Sequence, residues 1–416
     1  MIAVEIISIG DELLIGQTIN SNAAWMGERL LEIGIHLNWV TTVGDDRDRI
    51  LQALRIAESR ADVILVTGGL GPTHDDITKH VLCEHYGAKL VFNQQIYDQV
   101  FERFQKRGIT MAKVNADQAM VPDIAHIMPN KLGTAPGMMF RKGPKCCYVM
   151  PGVPFEMKAM MIDQVLPELK SASGSSTILV HHFMTTGVAE STLFEMLDNL
   201  PAIQQSVDVA FLPSLFGVKL RLMAKAESPA AAEKRLAEGV TRVREKVGKF
   251  IYADEDRSLE AIVAELLTHR QETVAVAESC TGGMVANMLT NIPGSSHFFN
   301  RGIVCYSNQS KIELLNVPES MILQHGAVSS AVALAMAKGM RQMAQTDYGL
   351  ALTGIAGPDG GTAEKPVGLV FIACADHQGA VYERHQFAND RLGNKQRAAQ
   401  AALNLLRKKI LEIDHE

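Results

Sequence analysis

The sequence predicts an α/β protein in which two domains with mostly parallel sheets flank a small α+β module. Apolar runs of strand length alternate with segments of helical spacing before residue 165 and again after residue 258. Between these regions lies a small, polar linker, residues 171–176, and the pattern that follows it is different. A chain of 416 residues is long enough for two or three domains. We therefore divide it into residues 1–168, 177–253 and 258–416.

The first domain alternates strand and helix patterns. Strands are predicted at residues 2–9, 35–43, 63–67 and 146–150, with helices at 22–33 and 47–57. Such alternation indicates βαβ units and a parallel sheet that is covered by helices. The middle module shows strand, helix, strand and helix at 178–185, 191–200, 218–226 and 230–247. It has no acid–base cluster and no glycine-rich loop, so we interpret it as a spacer.

The third domain is predicted to start with Ser258 as the N-cap of a helix over residues 259–270. A second α/β pattern follows. Its predicted strands are 273–277, 302–306, 348–352, 367–375 and 381–387, and its further helices are 283–290, 329–344 and 394–411.

Composition excludes several classes of protein. The net charge is −6, aromatic residues make up 6%, and the longest basic run is 407–409, which argues against a nucleic-acid-binding surface. The N-terminus enters a strand without a basic signal region, and no apolar run is long enough to span a bilayer. The six cysteines form no CxxC pair and are interpreted as reduced core thiols. We expect a cytoplasmic protein with no membrane partner.

The most informative stretch begins with Ser279, where a strand gives way to a glycine pair and a helical pattern. Backbone N–H groups at such a junction can stabilise an oxyanion or a phosphate, which makes Thr281 and Gly282 candidate contacts. Lys311 is a candidate base because a partly buried lysine can lose its proton near neutral pH. Tyr306 is a candidate to relay that proton or to position the lysine. Taken singly, these residues are more typical of a helix cap, a solvated lysine and a core aromatic, and only their combination with the loop after residue 352 favours a catalytic site.

Other residues complete or compete with this set. Cys280 is the rival nucleophile, but no histidine is convincingly placed to activate it. The loop 353–361, TGIAGPDGG, follows a buried strand and so lies at the carboxyl end of the sheet, where α/β proteins bind ligands. Arg391 precedes the last helical pattern and is either a phosphate clamp or part of a surface ion pair.

The third domain resembles the C-terminal domain of the CinA (competence/damage-inducible protein) family. The resemblance rests on AESCTGG, PGSS at 293–296, Tyr306-Ser307-Asn308 with Lys311, GAVS at 326–329, and TGIAGPDGG with EKPVG at 364–368. It implies an amidase that converts nicotinamide mononucleotide and water to nicotinate mononucleotide and ammonia, without a metal or cofactor. It implies that Ser279 is the nucleophile, with Tyr306 and Lys311 as its partners. The implied substrate contacts are Thr353, Gly354, Arg391 and, more weakly, Ser296.

A second candidate site lies in the first domain, where acidic pairs follow strand ends at residues 11–12, 45–46 and 75–76. Carboxylates gathered at one sheet edge would bind a hard divalent cation. We interpret Asp45 and Asp46 as helix N-terminal acids. The predicted metal ligands are Asp11, Glu12, Asp75 and Asp76. The neighbouring glycines would present N–H groups to a phosphate; they are Gly68, Gly69 and Gly71.

The first domain resembles the molybdopterin-binding fold at the N-terminus of full-length CinA proteins. The motifs that carry this are GDELLIGQTINSN, TGGLGPTHDD, GTAPG at 133–137 and PGVPFEM at 151–157. The resemblance implies hydrolysis of ADP-ribose to AMP and ribose 5-phosphate, with a divalent ion of the magnesium, manganese or cobalt class and a monovalent cation as a further candidate. It also implies a homodimer.

The sequence thus predicts a bifunctional enzyme of pyridine-nucleotide recycling. One alternative keeps the amidase but makes the first domain a non-catalytic pterin-binding module or competence scaffold. Another class, the serine β-lactamases and penicillin-binding acyltransferases, needs S-x-x-K. It is disfavoured because Gly282 stands three residues after Ser279.

Overall fold

The computed structural model describes residues 2–413 except 74–75, 107, 173–176, 198–199 and 389. The chain folds as two compact units, Met1–Leu179 with Lys225–Glu233, and Val180–Ala224 with Lys234–Glu416. The mixed α/β architecture confirms the predicted fold class. No helix in the described part of the chain is long and apolar enough to cross a membrane.

The first unit is built around a twisted sheet of order β2-β1-β3-β8-β7-β6. Its strands are β1 Val4–Ile9, β2 Leu37–Val43, β3 Val63–Thr67, β4 Leu90–Phe92, β5 Met120–Pro122, β6 His126–Met128, β7 Gly137–Lys142 and β8 Lys145–Met150. Its helices are α1 Asp11–Leu14, α2 Ser21–Glu32, α3 Arg47–Arg60, α4 Thr78–Tyr86, α5 Gln94–Lys106, α6 Pro154–Met160 and α7 Leu166–Ala172. A 3₁₀ segment, Lys113–Ala119, precedes β5, and a π-helical turn, Met161–Val165, joins α6 to α7.

The central strands β1 and β3 are buried along their whole length. Strands β2, β1, β3 and β8 run parallel, whereas β7 and β6 are antiparallel additions. Helices cover both faces, so these strands consist of continuous apolar runs. The loops after β1 and β2 meet at the carboxyl edge, which brings Asp11 and Asp45 together.

The middle segment forms a small sheet of order β10-β11-β9-β12. Its elements are β9 Thr177–Thr185, α8 Glu190–Met196, α9 Leu200–Gln204, β10 Asp208–Ser214, β11 Gly217–Ala226, α10 Pro229–Val247 and β12 Ile251–Ala253. Sequence reasoning missed β10, because this edge strand is half exposed and contains Pro213.

The rest of the second unit is an α/β sheet of order β14-β13-β15-β16-β17. Its elements are α11 Leu259–Arg270, β13 Val274–Glu278, α12 Met284–Thr290, β14 Phe299–Val304, α13 Asn308–Leu315, α14 Glu319–His325, α15 Ser330–Ala344, β15 Tyr348–Gly354, β16 Leu369–Ala375, β17 Ala380–Gln386 and α16 Arg391–Ile410. Strands β14, β13 and β15 are parallel, and β16 and β17 complete the sheet in antiparallel fashion.

In this domain the structure differs from the sequence-based predictions in several details, of which three bear on the site. The strand predicted at 302–306 is β14, Phe299–Val304, because residues 305–307 leave the sheet to enter α13. Helices α13 and α14 were not predicted. Ser258 stands at the N-cap of α11 as predicted, but its side chain makes no capping hydrogen bond.

Candidate active site

Ser279 lies at the turn between the buried strand β13 and helix α12. Its N–H donates to Leu352 O at 3.1 Å, which ties it to the neighbouring strand β15. Gly282 and Gly283 have φ values of +63° and +95°, a left-handed conformation that other residues adopt only with strain. The glycine pair therefore allows the tight reversal that places the serine hydroxyl at the carboxyl end of the sheet.

The Ser279 hydroxyl is 3.1 Å from the amine of Lys311. Lys311 is 1% exposed and reaches the serine from the first turns of α13, whose N-cap is Ser307. Its Nζ also lies 2.9 Å from Cys305 O and 3.2 Å from Tyr306 O. In the described part of the chain no carboxylate forms an ion pair with it. The structure thus brings together the two residues that the sequence proposed as nucleophile and base.

Burial lowers the pKa of the Lys311 ammonium below its ordinary value, because the charged form loses hydration. A neutral amine has two N–H bonds and one lone pair. The carbonyl oxygens of Cys305 and Tyr306 can accept the two N–H bonds, which leaves the lone pair for the Ser279 hydroxyl. This arrangement can remove a proton from the serine.

The Tyr306 phenol does not contact Lys311; its hydroxyl lies 3.3 Å from the Arg391 guanidinium instead. The ring is 61% exposed, and the residue reaches the lysine only through its main-chain carbonyl. The geometry therefore favours a positioning role for Tyr306 over the predicted proton relay. Arg391 also donates to Gly357 O, and it starts α16, where Asp390 caps the helix by accepting from Gly393 N at 2.7 Å.

A cavity of about 260 Å³ lies over the serine and lysine. Besides Lys311, the lining contains five of the predicted site residues: Ser279, Tyr306, Thr353, Gly354 and Arg391. It also contains Asn308 and Asp359, which the sequence did not single out as contacts. Gly354 is required there, since a Cβ atom would come within 2.7 Å of Leu369 O. The lining does not include Thr281, Gly282 or Ser296. Thr281 is fully buried and its hydroxyl has no hydrogen-bond partner in the described part of the chain.

Glu278 is the residue that sequence reasoning missed. Its carboxylate is 1% exposed and accepts three N–H groups of the next turn, from Gly283 at 3.0 Å, Val285 at 3.2 Å and Ala286 at 2.9 Å. These helix N-terminal donors are therefore occupied and do not bind a ligand anion, which corrects the prediction for this part of the turn. Of the N–H groups before these, only that of Cys280 belongs to a residue of the cavity lining, which makes it the candidate oxyanion donor; Thr281 is fully buried outside the lining. An acidic residue at the end of a strand, six residues before the helix that begins at Met284, is the signal that could have revealed this contact.

Cys280, the rival nucleophile, also lines the cavity. Burial, together with the negative charge of Glu278, raises the pKa of its thiol to about 11. A thiol that stays protonated near neutral pH is a poor nucleophile. The local electrostatics therefore favour Ser279 over Cys280.

At the carboxyl edge of the sheet in the first unit, Asp11 and Asp45 contact each other; we call this acidic region the carboxylate edge. The Asp11 N–H donates to Asp45 Oδ2 at 3.1 Å, and the Asp45 N–H donates to Asp11 Oδ1 at 3.3 Å. Asp46 caps α3 as predicted, by accepting from Arg49 N at 2.9 Å. Asp45 makes no capping contact and faces Asp11 instead, which corrects its interpretation as a helix N-terminal acid.

Burial raises the pKa of Asp45, and the charges of Asp11, Glu12 and Asp76 raise it further. Asp76 accepts from Thr73 N at 3.0 Å, and the predicted ligand Asp75 lies outside the described residues. Among the residues described, no three acidic, histidine or cysteine side chains close into a set of metal ligands.

The glycine loop after β3 packs tightly against its surroundings. A Cβ atom on Gly68 would come within 2.0 Å of Ile9 O, and one on Gly69 within 2.0 Å of the Thr78 hydroxyl. Three buried side-chain oxygens near this loop have no hydrogen-bond partner in the described part of the chain; they belong to Asn22, Thr78 and Gln118. Orphaned oxygens beside clustered carboxylates fit a hard cation.

Three family descriptions match consecutive parts of the chain. Residues 256–410 match the "CinA C-terminal domain", residues 5–171 match the "Probable molybdopterin binding domain", and residues 181–253 match the "Damage-inducible protein CinA KH domain". A "CinA-like protein" of Chloroherpeton thalassium is 43% identical over 414 residues, covering 97% of this chain and 98% of that protein. A second, from Dictyoglomus thermophilum, is 40% identical over 409 residues, covering 98% and 99% respectively.

Solved structures resemble parts of the chain. A competence/damage inducible protein from Agrobacterium tumefaciens is 38% identical and covers 36% of this chain and 92% of its own, with a TM-score of 0.35. A protein from Thermoplasma acidophilum, described as CinA with unknown function, is 31% identical and covers 40% of this chain and 97% of its own, with a TM-score of 0.37.

Proposed function

The chain belongs to the CinA family, and from that membership we propose that its C-terminal α/β domain hydrolyses the carboxamide of nicotinamide mononucleotide. The observation that carries the proposal is the contact of 3.1 Å between the Ser279 hydroxyl and the buried Lys311 amine. A hydroxyl next to a buried amine that carries no ion pair is an activated nucleophile.

The reaction follows from this geometry. Lys311 takes the proton of Ser279 as the oxygen attacks the carboxamide carbon, and the N–H group of Cys280 stabilises the oxyanion. The C–N bond then breaks, and the leaving nitrogen takes the proton from Lys311 and departs as ammonia. Water attacks the resulting ester, passes a proton through Lys311 back to Ser279, and releases nicotinate mononucleotide. The Arg391 guanidinium would bind the substrate phosphate at the cavity rim.

For the first domain we propose hydrolysis of ADP-ribose to AMP and ribose 5-phosphate. The proposal is supported by the carboxylate edge, where the pKa of Asp45 is raised, and by the orphaned oxygens beside the glycine loop. Asp11, Glu12, Asp75 and Asp76 would hold a divalent cation, with Asp45 beside them, and Gly68, Gly69 and Gly71 would present N–H groups to the diphosphate. A bound divalent cation would supply charge stabilisation at the phosphoanhydride.

We propose that the protein acts as a cytoplasmic homodimer without nucleic-acid or membrane partners, and that the middle module is a spacer. The division into 1–168, 177–253 and 258–416 likewise stays a proposal. A non-catalytic, pterin-binding first domain is the second candidate, because residues 5–171 match the molybdopterin binding description.

The test is a product analysis with both nucleotides. We expect ammonia from nicotinamide mononucleotide and AMP from ADP-ribose, and a chelator should abolish only the second reaction. Ser279→Ala should lower ammonia release by about 10³-fold or more and leave ADP-ribose hydrolysis unchanged. Ser310→Ala, on the same helix as Lys311, is the matched control. Equal rates of ammonia release from wild type and Ser279→Ala would contradict the assignment of Ser279 as the nucleophile. If no AMP forms from ADP-ribose with or without added divalent metal, the pterin-binding alternative is favoured.

A further inference from the structure

A second cavity in the C-terminal unit lies apart from the candidate amidase site and shares none of its lining residues. Its volume is about 540 Å³, within the range of small-molecule sites. One wall is formed by α16 and the end of β17, and the other by residues 186–190 and 213–218 of the middle segment. We call this cavity the α16 groove.

Gln400 lines the α16 groove with an amide that lacks partners. The side chain is 5% exposed, and among the described residues nothing forms a hydrogen bond with it. It also lines a neighbouring cavity of about 240 Å³. No polar atom of Gln400 is among the fully enclosed unpartnered atoms of the described residues, so the amide remains open to the two cavities that it lines. The amide is therefore placed to form hydrogen bonds with a ligand.

Gln400 belongs to a polar stripe along one face of α16. Arg397, Gln400, Asn404 and Lys408 follow one another at intervals of three or four residues, so they share a face of the helix. Asn404 is 6% exposed; its Oδ1 accepts from Arg407 Nε at 3.2 Å, and its NH₂ group, which lies close to Gly187, donates no hydrogen bond to another described residue. Arg397 is exposed and forms no ion pair in the described part of the chain.

Aromatic rings stand opposite and beside this stripe. His385 and Phe387 stack with centroids 5.4 Å apart and ring planes 4° from parallel. Phe216, in the middle segment, is 42% exposed and lines the same cavity. Phe216 is exposed and His385 and Phe387 are partly exposed, and accessible rings in a cavity suit the stacking of a nucleobase.

The charges of the lining are largely paired. Glu383 binds Lys408 at 3.0 Å and His385 at 2.9 Å, and these contacts hold the pKa of Glu383 at about 2. The remaining charged residues are Glu190, in the middle segment, and Arg397 at one end of the stripe. A single free guanidinium suits one phosphate and does not suit the phosphate track of a nucleic-acid strand.

We infer that the α16 groove binds a nucleoside monophosphate. The base lies against the rings of Phe216, His385 and Phe387, the amides of Gln400 and Asn404 contact its edge, and Arg397 pairs with the phosphate. This site is separate from both proposed reactions and does not depend on them.

The test is equilibrium binding of AMP, GMP, CMP and UMP to the full chain, with adenosine and a short single-stranded oligonucleotide as further arms. We expect at least one nucleotide to bind to wild type, and Gln400→Leu to weaken that binding about tenfold. Arg397→Gln, an exposed and therefore fold-neutral change, should weaken nucleotide binding and leave adenosine binding unchanged. Ammonia release by both variants should equal that of wild type, because neither residue lines the amidase cavity.

Any AMP that binds equally well to Gln400→Leu and wild type occupies another site, such as the product site of the first domain. The inference is overturned if no nucleotide binds, or if both variants bind every nucleotide as wild type does. It is also overturned if only the oligonucleotide binds.

Discussion

Each unit of the molecule contains a buried lysine without an ion pair among the described residues, and only one of the two has a hydroxyl beside its amine. Lys79, in the first unit, is 8% exposed and donates to Asp117 O at 2.8 Å and Met120 O at 2.9 Å. Lys311, in the second, is 1% exposed and likewise donates to main-chain carbonyls, those of Cys305, Tyr306 and, at 3.5 Å, Ser307. Burial lowers the pKa of both. Only Lys311 has a hydroxyl, that of Ser279, as a further neighbour.

Burial of a lysine and a lowered pKa of its ammonium group are therefore not sufficient to make it a catalytic base. Lys79 has the same two features, and its described contacts hold a 3₁₀ segment against α4, which is a structural role. What distinguishes Lys311 is the hydroxyl at 3.1 Å and the cavity above it. Lys79 therefore serves as the matched control for every claim about Lys311.

The largest expected effect separates the two lysines directly. Lys311→Met should lower ammonia release by about 10²-fold to 10⁴-fold, because it removes the proton acceptor. Lys79→Met should leave ammonia release at the wild-type rate. The measurement is steady-state ammonia production from nicotinamide mononucleotide. A loss of similar size in both variants would indicate that buried lysines matter here only for folding.

The next effect concerns Glu278, which holds the turn that carries the nucleophile. Glu278→Gln places an NH₂ group against backbone donors, so at least one hydrogen bond is lost. We expect kcat for ammonia release to fall about tenfold to 100-fold and the free energy of unfolding to fall by about 1–3 kcal/mol.

A second measurement separates positioning from general destabilisation in Glu278→Gln. The carboxylate raises the pKa of the Cys280 thiol, so the variant should react with alkylating reagents at lower pH than wild type. Glu272→Gln, which alters a carboxylate bonded to the Tyr348 hydroxyl at 3.0 Å, is the control and should show no such shift. An unchanged kcat in folded Glu278→Gln would remove the positioning role.

A smaller effect is expected at Arg391. Replacement by Met should raise KM for nicotinamide mononucleotide about tenfold, because one charge-assisted contact to the phosphate is lost. The same variant should process nicotinamide riboside, which has no phosphate, as wild type does. An equal loss with both substrates would show that Arg391 acts only by holding Tyr306 and Gly357.

The smallest effect is on stability, and both lysines should show it. The pKa of each lysine is lower in the folded protein than the ordinary value of 10.5, which applies in the unfolded chain. Between these two pKa values the native state binds fewer protons than the unfolded chain. The free energy of unfolding therefore rises with pH across that window. Lys79→Met and Lys311→Met should each flatten this rise in denaturant titrations. A steeper rise in either variant would contradict the direction of the shift.

Much of the fold and of the candidate active site could be predicted from local sequence patterns. The apolar strands and the glycine pair after Ser279 are local signals, and the family motifs supplied Lys311 and Arg391. The contact of Arg391 with Tyr306 joins residues 85 positions apart, and no local pattern encodes it. The contacts of Glu278 and the pairing of Asp45 with Asp11 were missed because a carboxylate's partner depends on where the chain turns back.

The most direct test of the central claim is to trap the acyl-enzyme. Wild-type protein is mixed with excess nicotinamide mononucleotide, quenched in acid within the first turnovers, digested and analysed by mass spectrometry. We predict that the nicotinate mononucleotide acyl group is found as an ester on Ser279 in wild type and in Lys79→Met, and that it is absent in Ser279→Ala. An adduct on Cys280, or ammonia released by Ser279→Ala at the wild-type rate, would contradict it.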